Sequence, residues 1–265
     1  MLIVAERINA TRKRIREALE NKDAALIAEE AKNQLEAGAD FIDVNAGAHP
    51  DREVDDMAWM LDVVQDAVDA PIALDSSSSE VILKNINKVK QTPMINSVTL
   101  ETKKFDEMKA VIEAREANIV ALCMDDRGLP KNTDEAYDNA ERLLAALEKL
   151  GVKRERIYFD PLIQAVSAEQ DKGLIALETM RRIHANLEGV NTVCGLSNIS
   201  FGLPERFLVN RTFMSLAIGA GLTAAIVDPL DEKLMTAVIV TEMLLGKDDY
   251  CKYYMTAYRK KRIVP

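Results

Sequence analysis

Eight short apolar runs, each finishing in an acid or an amide, recur along the chain, and this repeat narrows the fold more than any other feature. They are LIVAERI from Leu2, FIDVNAG from Phe41, PIALDS from Pro71, MINSVT from Met94, NIVALCMDD from Asn118, IYFDPLI from Ile157, TVCGLSN from Thr192 and TAAIVDP from Thr223. Runs this short and this apolar suit strands buried on both faces. Between them, apolar residues return at helical spacing. Ala24, Ile27, Ala28, Ala31 and Leu35 form one stripe stopped by Gly38, and Ala136, Ala140, Leu143, Leu144, Leu147 and Leu150 form another stopped by Gly151. Strands alternating with helices predict a parallel sheet, because parallel neighbours can be joined only by a crossover. Evenly spaced over 265 residues without a linker-like stretch, the repeat predicts an α/β fold, a TIM (β/α)8 barrel formed by residues 1–265 as a single domain. A doubly wound open sheet is the alternative arrangement of the same elements.

Smaller signals fit around that frame. Ser167 and Gln170 have capping-box spacing ahead of a helix, and the run Ser76 to Ser79 is placed to begin another. The closing DDYCKYYMTAYRKKRIVP reads as a terminal helix with an exposed end. MLIVAERINA lacks a basic region and a long apolar segment, so it reads as a first strand and not as a signal peptide. No stretch approaches the roughly 20 apolar residues of a membrane-spanning helix, and a cytoplasmic location is expected. Cys123, Cys194 and Cys251 are widely spaced with no CxxC, which argues against a disulfide framework or a zinc site. Cys123 and Cys194 fall inside strands and are expected as small buried hydrophobes.

The strand ends carry the chemistry. Strand one delivers Glu6, Arg7 and Asn9; strand two Asp43 and Asn45; strand three Asp75; strand four Asn96. Strand five brings Asp125 and Asp126, strand six Asp160, strand seven Asn198 and strand eight Asp228. In a parallel barrel these ends converge on the C-terminal face, where active sites are built. Taken singly, an Asp or Asn there is well suited to capping the next helix. Asp160 before Pro161 and Asp228 before Pro229 are the best placed for such turn chemistry. All of the strands ending this way in succession predict a shared polar site in addition.

Which ligand suits it is narrowed by what the chain lacks. A formal charge of −9 argues against nucleic acid as the main partner, while leaving room for one anion in a local basic pocket. With only two histidines, His49 and His184, and no HxxxH, HExxH or Cys/His cluster, no tight transition-metal site is expected. Exposed carboxylates leave weak calcium or magnesium binding open. There is no glycine-rich phosphate loop and no GxSxG nucleophile elbow. Paired carboxylates suit a glycosidase, but 5% aromatic residues and one tryptophan, Trp59, are thin for a sugar cleft. A flat heterocycle rich in N–H donors and carbonyls matches the acids and amides best.

ERIN in the first run, DVNAG in the second, LDSS in the third and MINS in the fourth resemble the pterin-binding barrel family. That family includes dihydropteroate synthases, the folate domain of cobalamin-dependent methionine synthase, and methyltetrahydrofolate:corrinoid protein methyltransferases. YFDPLI and GLSNISFGLPERFLVNRTF resemble the last two groups, and the resemblance covers essentially the whole chain. The alternatives are a dihydropteroate synthase-like enzyme and a non-catalytic folate-binding module. Against the synthase, DPLIQAV lacks the glycine-rich continuation and the seventh run lacks a lysine.

The resemblance implies methyl transfer between N5 of tetrahydrofolate and the cobalt of a corrinoid (cobalamin) carried by a partner protein, in one-carbon metabolism or a demethylation system. It implies that Asn198 contacts N5 as the principal catalytic group, and that Asp75, Asn96 and Asp160 hold the pterin, the acids as ionised acceptors. Gly195 and Ser197 line the same strand end, and Arg206 stands near the substrate, to face its glutamate or to orient Asn198. Glu6, Asp43, Asn45 and Asp228 complete the candidate set. A homodimer is implied as well, with Met57, Trp59 and Met60 on one helix as slight support.

Overall fold

In the computed structural model, which describes residues 1–264, every run becomes a parallel strand. They are β1 (Leu2–Asn9), β2 (Phe41–Asn45), β3 (Ile72–Asp75), β4 (Met94–Leu100), β5 (Asn118–Asp125), β6 (Ile157–Asp160), β7 (Asn191–Thr192) and β8 (Ala224–Val227). Consecutive strands pair all the way from β1 to β7, and β8 lies beside β1. The strand order never reverses, which rules out the doubly wound sheet. Between β7 and β8 the ring is closed by Gly195 bridging Ile226 and by the Ile226 N–H donating to the Cys194 carbonyl at 2.9 Å.

Helices α1 (Lys13–Glu20) and α2 (Ala24–Glu36) connect β1 to β2. One α-helix then follows each strand: α3 (Glu53–Ala67), α4 (Ser79–Asn85), α5 (Thr102–Ala114), α6 (Thr133–Lys149), α7 (Lys172–Asn186), α8 (Arg206–Gly219) and α9 (Glu232–Leu244). The tail forms α10 (Lys252–Arg259). Ser78 caps α4, its hydroxyl accepting from the Val81 N–H, as the serine run predicts. The Ser167–Gln170 box does not form. Helix α7 starts only at Lys172, and the Ser167 hydroxyl instead donates to the Phe201 carbonyl at 2.6 Å, tying two mouth loops together.

Side chains alternate across each strand, so every barrel position has a fixed facing. Val4, Phe41, Ala73, Met94, Val120, Tyr158 and Ala224, with Val193 just past β7, form the apolar plug inside the barrel. The opposite faces pack against the helices in two larger apolar clusters. Cys123 and Cys194 are buried there as thiols. Met57 and Met60 are fully buried in the larger cluster, and Trp59 packs partly beneath the Lys22 ammonium, 4.6 Å from its ring centre. These residues belong to the core, so they give no support to a subunit interface.

The closing seam relies on two hydroxyls because β7 is only two residues long. The Thr192 N–H donates to the Thr223 hydroxyl at 2.9 Å, the Thr223 N–H to the Thr192 hydroxyl at 3.1 Å, and the Thr192 hydroxyl to the Gly221 carbonyl at 2.8 Å. Thr192→Val keeps the shape but removes the hydroxyl that joins two of these bonds. It should destabilise the protein by about 1–3 kcal/mol, read as a lower urea midpoint with an unchanged slope.

Candidate functional site

Two residues beyond the apolar plug, the same strand faces deliver Glu6, Asp43, Asp75, Asn96, Leu122, Asp160, Gly195 and Ile226 to the C-terminal mouth. One further step on β2 brings Asn45 inward, and Asp228 stands at the rim just past β8. The polar ring is therefore real but broken. Strand β5 contributes Leu122 and Met124, not Asp125 and Asp126. Asp125 faces the helices, paired with Arg127 at 2.9 Å and Arg142 at 2.8 Å, which holds its carboxyl well below the usual carboxylate range. Asp126 accepts from the backbone and hydroxyl of Thr102 at the start of α5. Both are structural.

Asp43 and Asp75 form the deepest part of the site with two amides. Asn96 Nδ2 donates to Asp43 Oδ1 at 3.2 Å, and Asn45 Nδ2 donates to Asp75 Oδ2 at 3.0 Å. Burial raises both carboxyls. The charge of Asp75 pushes Asp43, only 2% exposed, higher still. Like charges in a dry site oppose each other's ionisation. For Asp75, expected as an ionised acceptor, burial and the neighbouring Glu53 charge oppose that ionisation. Glu53, on the first turn of α3, is a buried neighbour with no signal in the sequence: the Ser76 hydroxyl donates to its Oε1 at 2.5 Å, and its charge also raises Asp75.

On the opposite wall, Asp160 is 8% exposed and accepts the Leu162 N–H at 2.7 Å, the turn that its Asp-Pro sequence predicts. Asp228 does the same with the Leu230 N–H at 2.9 Å. Burial pushes Asp160 up to about 6, against hydrogen bonds from the Leu162 and Gly195 backbones. Glu6 is raised by burial, held back by Arg12 at 3.0 Å, and raised again by nearby Asp228. Arg7 bridges the buried Glu30 and Asp228, the latter at 2.7 Å. Arg12 lies outside the strand runs and was not foreseen.

Asn198 does not end a strand. After Gly195 the chain winds into a short 3-10 turn, Leu196–Ser200, that carries Asn198 in its middle. A Cβ placed on Gly195 would lie 4.0 Å from Asn198 Nδ2, so the amide hangs over Gly195, whose backbone hydrogen-bonds Asp160. The side chain is exposed and makes no hydrogen bond among the described residues. Arg206, the first residue of α8, clamps this turn: its Nε donates to the Ser200 hydroxyl at 3.0 Å and its Nη2 to the Ser197 carbonyl at 2.7 Å. These contacts are with the residues on either side of Asn198, not with its amide.

A cavity of about 390 Å³ opens beside the turn, with Glu6, Arg12, Ser197, Arg206 and Asp228 on its walls. A smaller one of about 170 Å³ lies across the mouth, walled by Ser76, Ser97, Leu122 and Met124. Among the described residues, no group of three or more His, Cys, Asp and Glu is set out to hold a metal ion. Among the described residues, no helix is long and apolar enough to cross a membrane.

Comparison with known proteins places this geometry. The profile of the family described as pterin binding enzyme matches residues 5–228. The chain is 34% identical over 270 residues to a methylcorrinoid:tetrahydrofolate methyltransferase of Eubacterium limosum, covering 100% of this chain and 98% of that one. It is 30% identical over 240 residues to methionine synthase of Mycobacterium tuberculosis, covering 86% of this chain but 20% of that longer protein. Among solved structures, dihydropteroate synthase from Xanthomonas albilineans in complex with 7,8-dihydropteroate superposes with a TM-score of 0.74 at 18% identity, over 92% of this chain and 94% of that one. The enzyme from Yersinia pestis gives 0.66 at 16%, over 92% and 93%. At such identities the likeness is one of fold.

Asp160 links the site to stability. A carboxyl raised from 3.8 to about 6 binds its proton more tightly in the folded chain than in the unfolded one. Its contribution is therefore fully present below pH ~4 and is lost as the pH rises through ~6. Asp160→Asn, which cannot ionise, should stabilise the protein by on the order of 2–3 kcal/mol at pH 8. Denaturant titrations at pH 8 and pH 4 should show that gain shrinking toward zero at the lower pH.

Proposed function

The chain belongs to the pterin binding enzyme family, and on that premise we propose that it moves a methyl group between N5 of tetrahydrofolate and the cobalt of a corrinoid carried by a separate protein. It is an enzyme, and the feature that carries this reading is the unengaged amide of Asn198, held over Gly195 at the mouth by a clamped turn. The 2-amino-4-oxo ring of a pterin presents N–H groups to acceptors. Asp160 and Asp75 supply them, with Asn96 and Asn45 fixing the orientations of Asp43 and Asp75. Gly195 and Ser197 border the ring on the β7 side.

When methyl leaves the folate, the carbon–N5 bond breaks and its electron pair returns to N5. A hydrogen bond from the Asn198 amide strengthens as that charge develops, which lowers the barrier. In the opposite direction N5 attacks the methyl with the same lone pair. A neutral amide leaves the pair available, whereas a strong acid would protonate it. The corrinoid is the second substrate and supplies or accepts the methyl. The segment after β7 has no lysine, which sets it apart from the synthase pattern, and the likeness over its full length is to a methyltransferase.

The barrel would act as one domain over residues 1–265, in the cytoplasm and as a homodimer. The exposed stripe Leu208, Thr212 and Leu216 on α8 is a better interface candidate than the buried methionines. Light scattering at micromolar concentration should give twice the chain mass, and a monomer alone would rule the dimer out.

Asn198→Ala should lower kcat on the order of 10²–10³-fold while changing folate affinity little. Asp75→Ala should instead weaken binding first, since it holds the ring in ground and transition states alike. Single-turnover transfer to free cob(I)alamin, beside calorimetric folate affinity, separates the two. Normal turnover in Asn198→Ala would remove the amide from the mechanism.

A further inference from the structure

Glu53, the first residue of α3, is 8% exposed and forms no ion pair among the described residues. A carboxylate buried without a cation is costly and persists where hydrogen bonds offset that cost. The contacts of Glu53 lead to Asp75 by two routes.

The first runs through Ser76, the residue after Asp75. Its hydroxyl donates to Glu53 Oε1 at 2.5 Å and accepts the Ser78 N–H at 3.1 Å, while its own N–H donates to the Asn96 carbonyl at 3.1 Å. The chain just beyond Asp75 is thereby fixed from three sides. The second runs through the loop between β2 and α3. The Gly47 N–H donates to Asn45 Oδ1 at 3.0 Å, which leaves Asn45 Nδ2 to donate to Asp75 Oδ2 at 3.0 Å. A Cβ placed on Gly47 would lie 3.3 Å from Asn45 Oδ1 and 3.7 Å from Glu53 Oε1. Asn45 and Glu53 therefore border one gap, which the missing side chain leaves open.

The charges nearest Asp75 are of one sign. Asp43 faces it from β2, Glu6 faces Asp43 from β1, and Glu53 acts on it from α3. Cations on the surrounding elements are engaged with other acids. Lys22 and Arg52 pair with Asp56, Lys84 with Glu80 and Arg12 with Glu6, and His49 faces Glu20. Burial opposes ionisation of Asp75, the Asn45 hydrogen bond favours it, and the Glu53 charge opposes it again.

We propose that Glu53 is a positioning residue for folate binding, acting through Asp75 and not on the pterin itself. It holds the chain beside Asp75 through Ser76, and its charge governs how readily the Asp75 carboxyl accepts an N–H. The role rests on the folate reading above and adds a pH dependence to it. Asp75 accepts the pterin N–H groups as a carboxylate, so affinity falls as the pH drops and the acid takes up its proton. The Glu53 charge makes that fall begin at a higher pH. Asp160 on the opposite wall contributes to the same fall, but its share and that of the ligand are common to wild type and the variants at Glu53.

Calorimetry with 5-methyltetrahydrofolate on the full chain, from pH 5 to pH 8.5, tests this with three variants. Glu53→Gln keeps an oxygen for the Ser76 hydroxyl but removes the charge. Its Kd should stay within about twofold of wild type at pH 8 and become about two- to fivefold tighter than wild type near pH 5.5. Loosened structure alone would weaken binding at every pH, so a gain on the acid side is specific to the charge. Glu53→Ala and Ser76→Ala lose the hydrogen bond, and each should raise the Kd at pH 8 about five- to tenfold. Ser76→Ala removes a single oxygen and keeps the test available if Glu53→Ala does not fold. An affinity–pH curve for Glu53→Gln that overlays wild type would overturn the proposal. So would Ser76→Ala binding as tightly as wild type at pH 8. Wild type that binds no folate at any pH is a separate result, which removes the folate reading and this role together.

Discussion

The alternation of side chains along a closed parallel barrel governs the rest of the molecule. Once Val4, Phe41, Ala73 and their counterparts fill the interior, the residues two further along must also point inward, at the open end. Acids and amides at those positions are then gathered from different strands into one small volume. No single run contains a site. The site exists because closure brings Glu6, Asp43, Asp75, Asn96 and Asp160 to one mouth.

Gathering them there has an electrostatic cost that the fold only partly offsets. Asp125, outside the barrel, is neutralised by two arginines and is easy to ionise. The acids inside have amides and backbone N–H groups for company, and burial raises them instead. A mouth whose carboxyls are under-compensated suits a ligand with N–H donors. The stability sacrificed at neutral pH is the counterpart of that affinity, the usual relation between a binding site and the fold that carries it.

Asn198 depends on a different device. Strand β7 ends early, and the chain turns into the short 3-10 element whose two ends are tied by one arginine. The arrangement fixes the backbone under the amide while leaving the amide unengaged. A strand end would have drawn it into the barrel wall. The same helix that supplies the clamp lines the neighbouring cavity, so orientation of the amide and shape of the cavity follow from the placement of α8.

The sequence by itself determined the strands, the helices between them, the closed order of the barrel and the two Asp-Pro turns at Asp160 and Asp228. Each of these is set by local periodicity or by the chemistry of neighbouring residues, both of which are written along the chain. It also put the right residue types at the mouth. Only the tertiary structure decided which of them face it. NIVALCMDD is apolar on both faces, so nothing in it reveals that Leu122 and Met124 point inward and Asp125 outward. The raised Asp43, pushed up by burial and by Asp75, and the Ser76–Glu53 contact likewise depend on groups distant in sequence. Charge and hydrogen-bond energies vary with separation and burial, and those are fixed only when the ring of strands has closed.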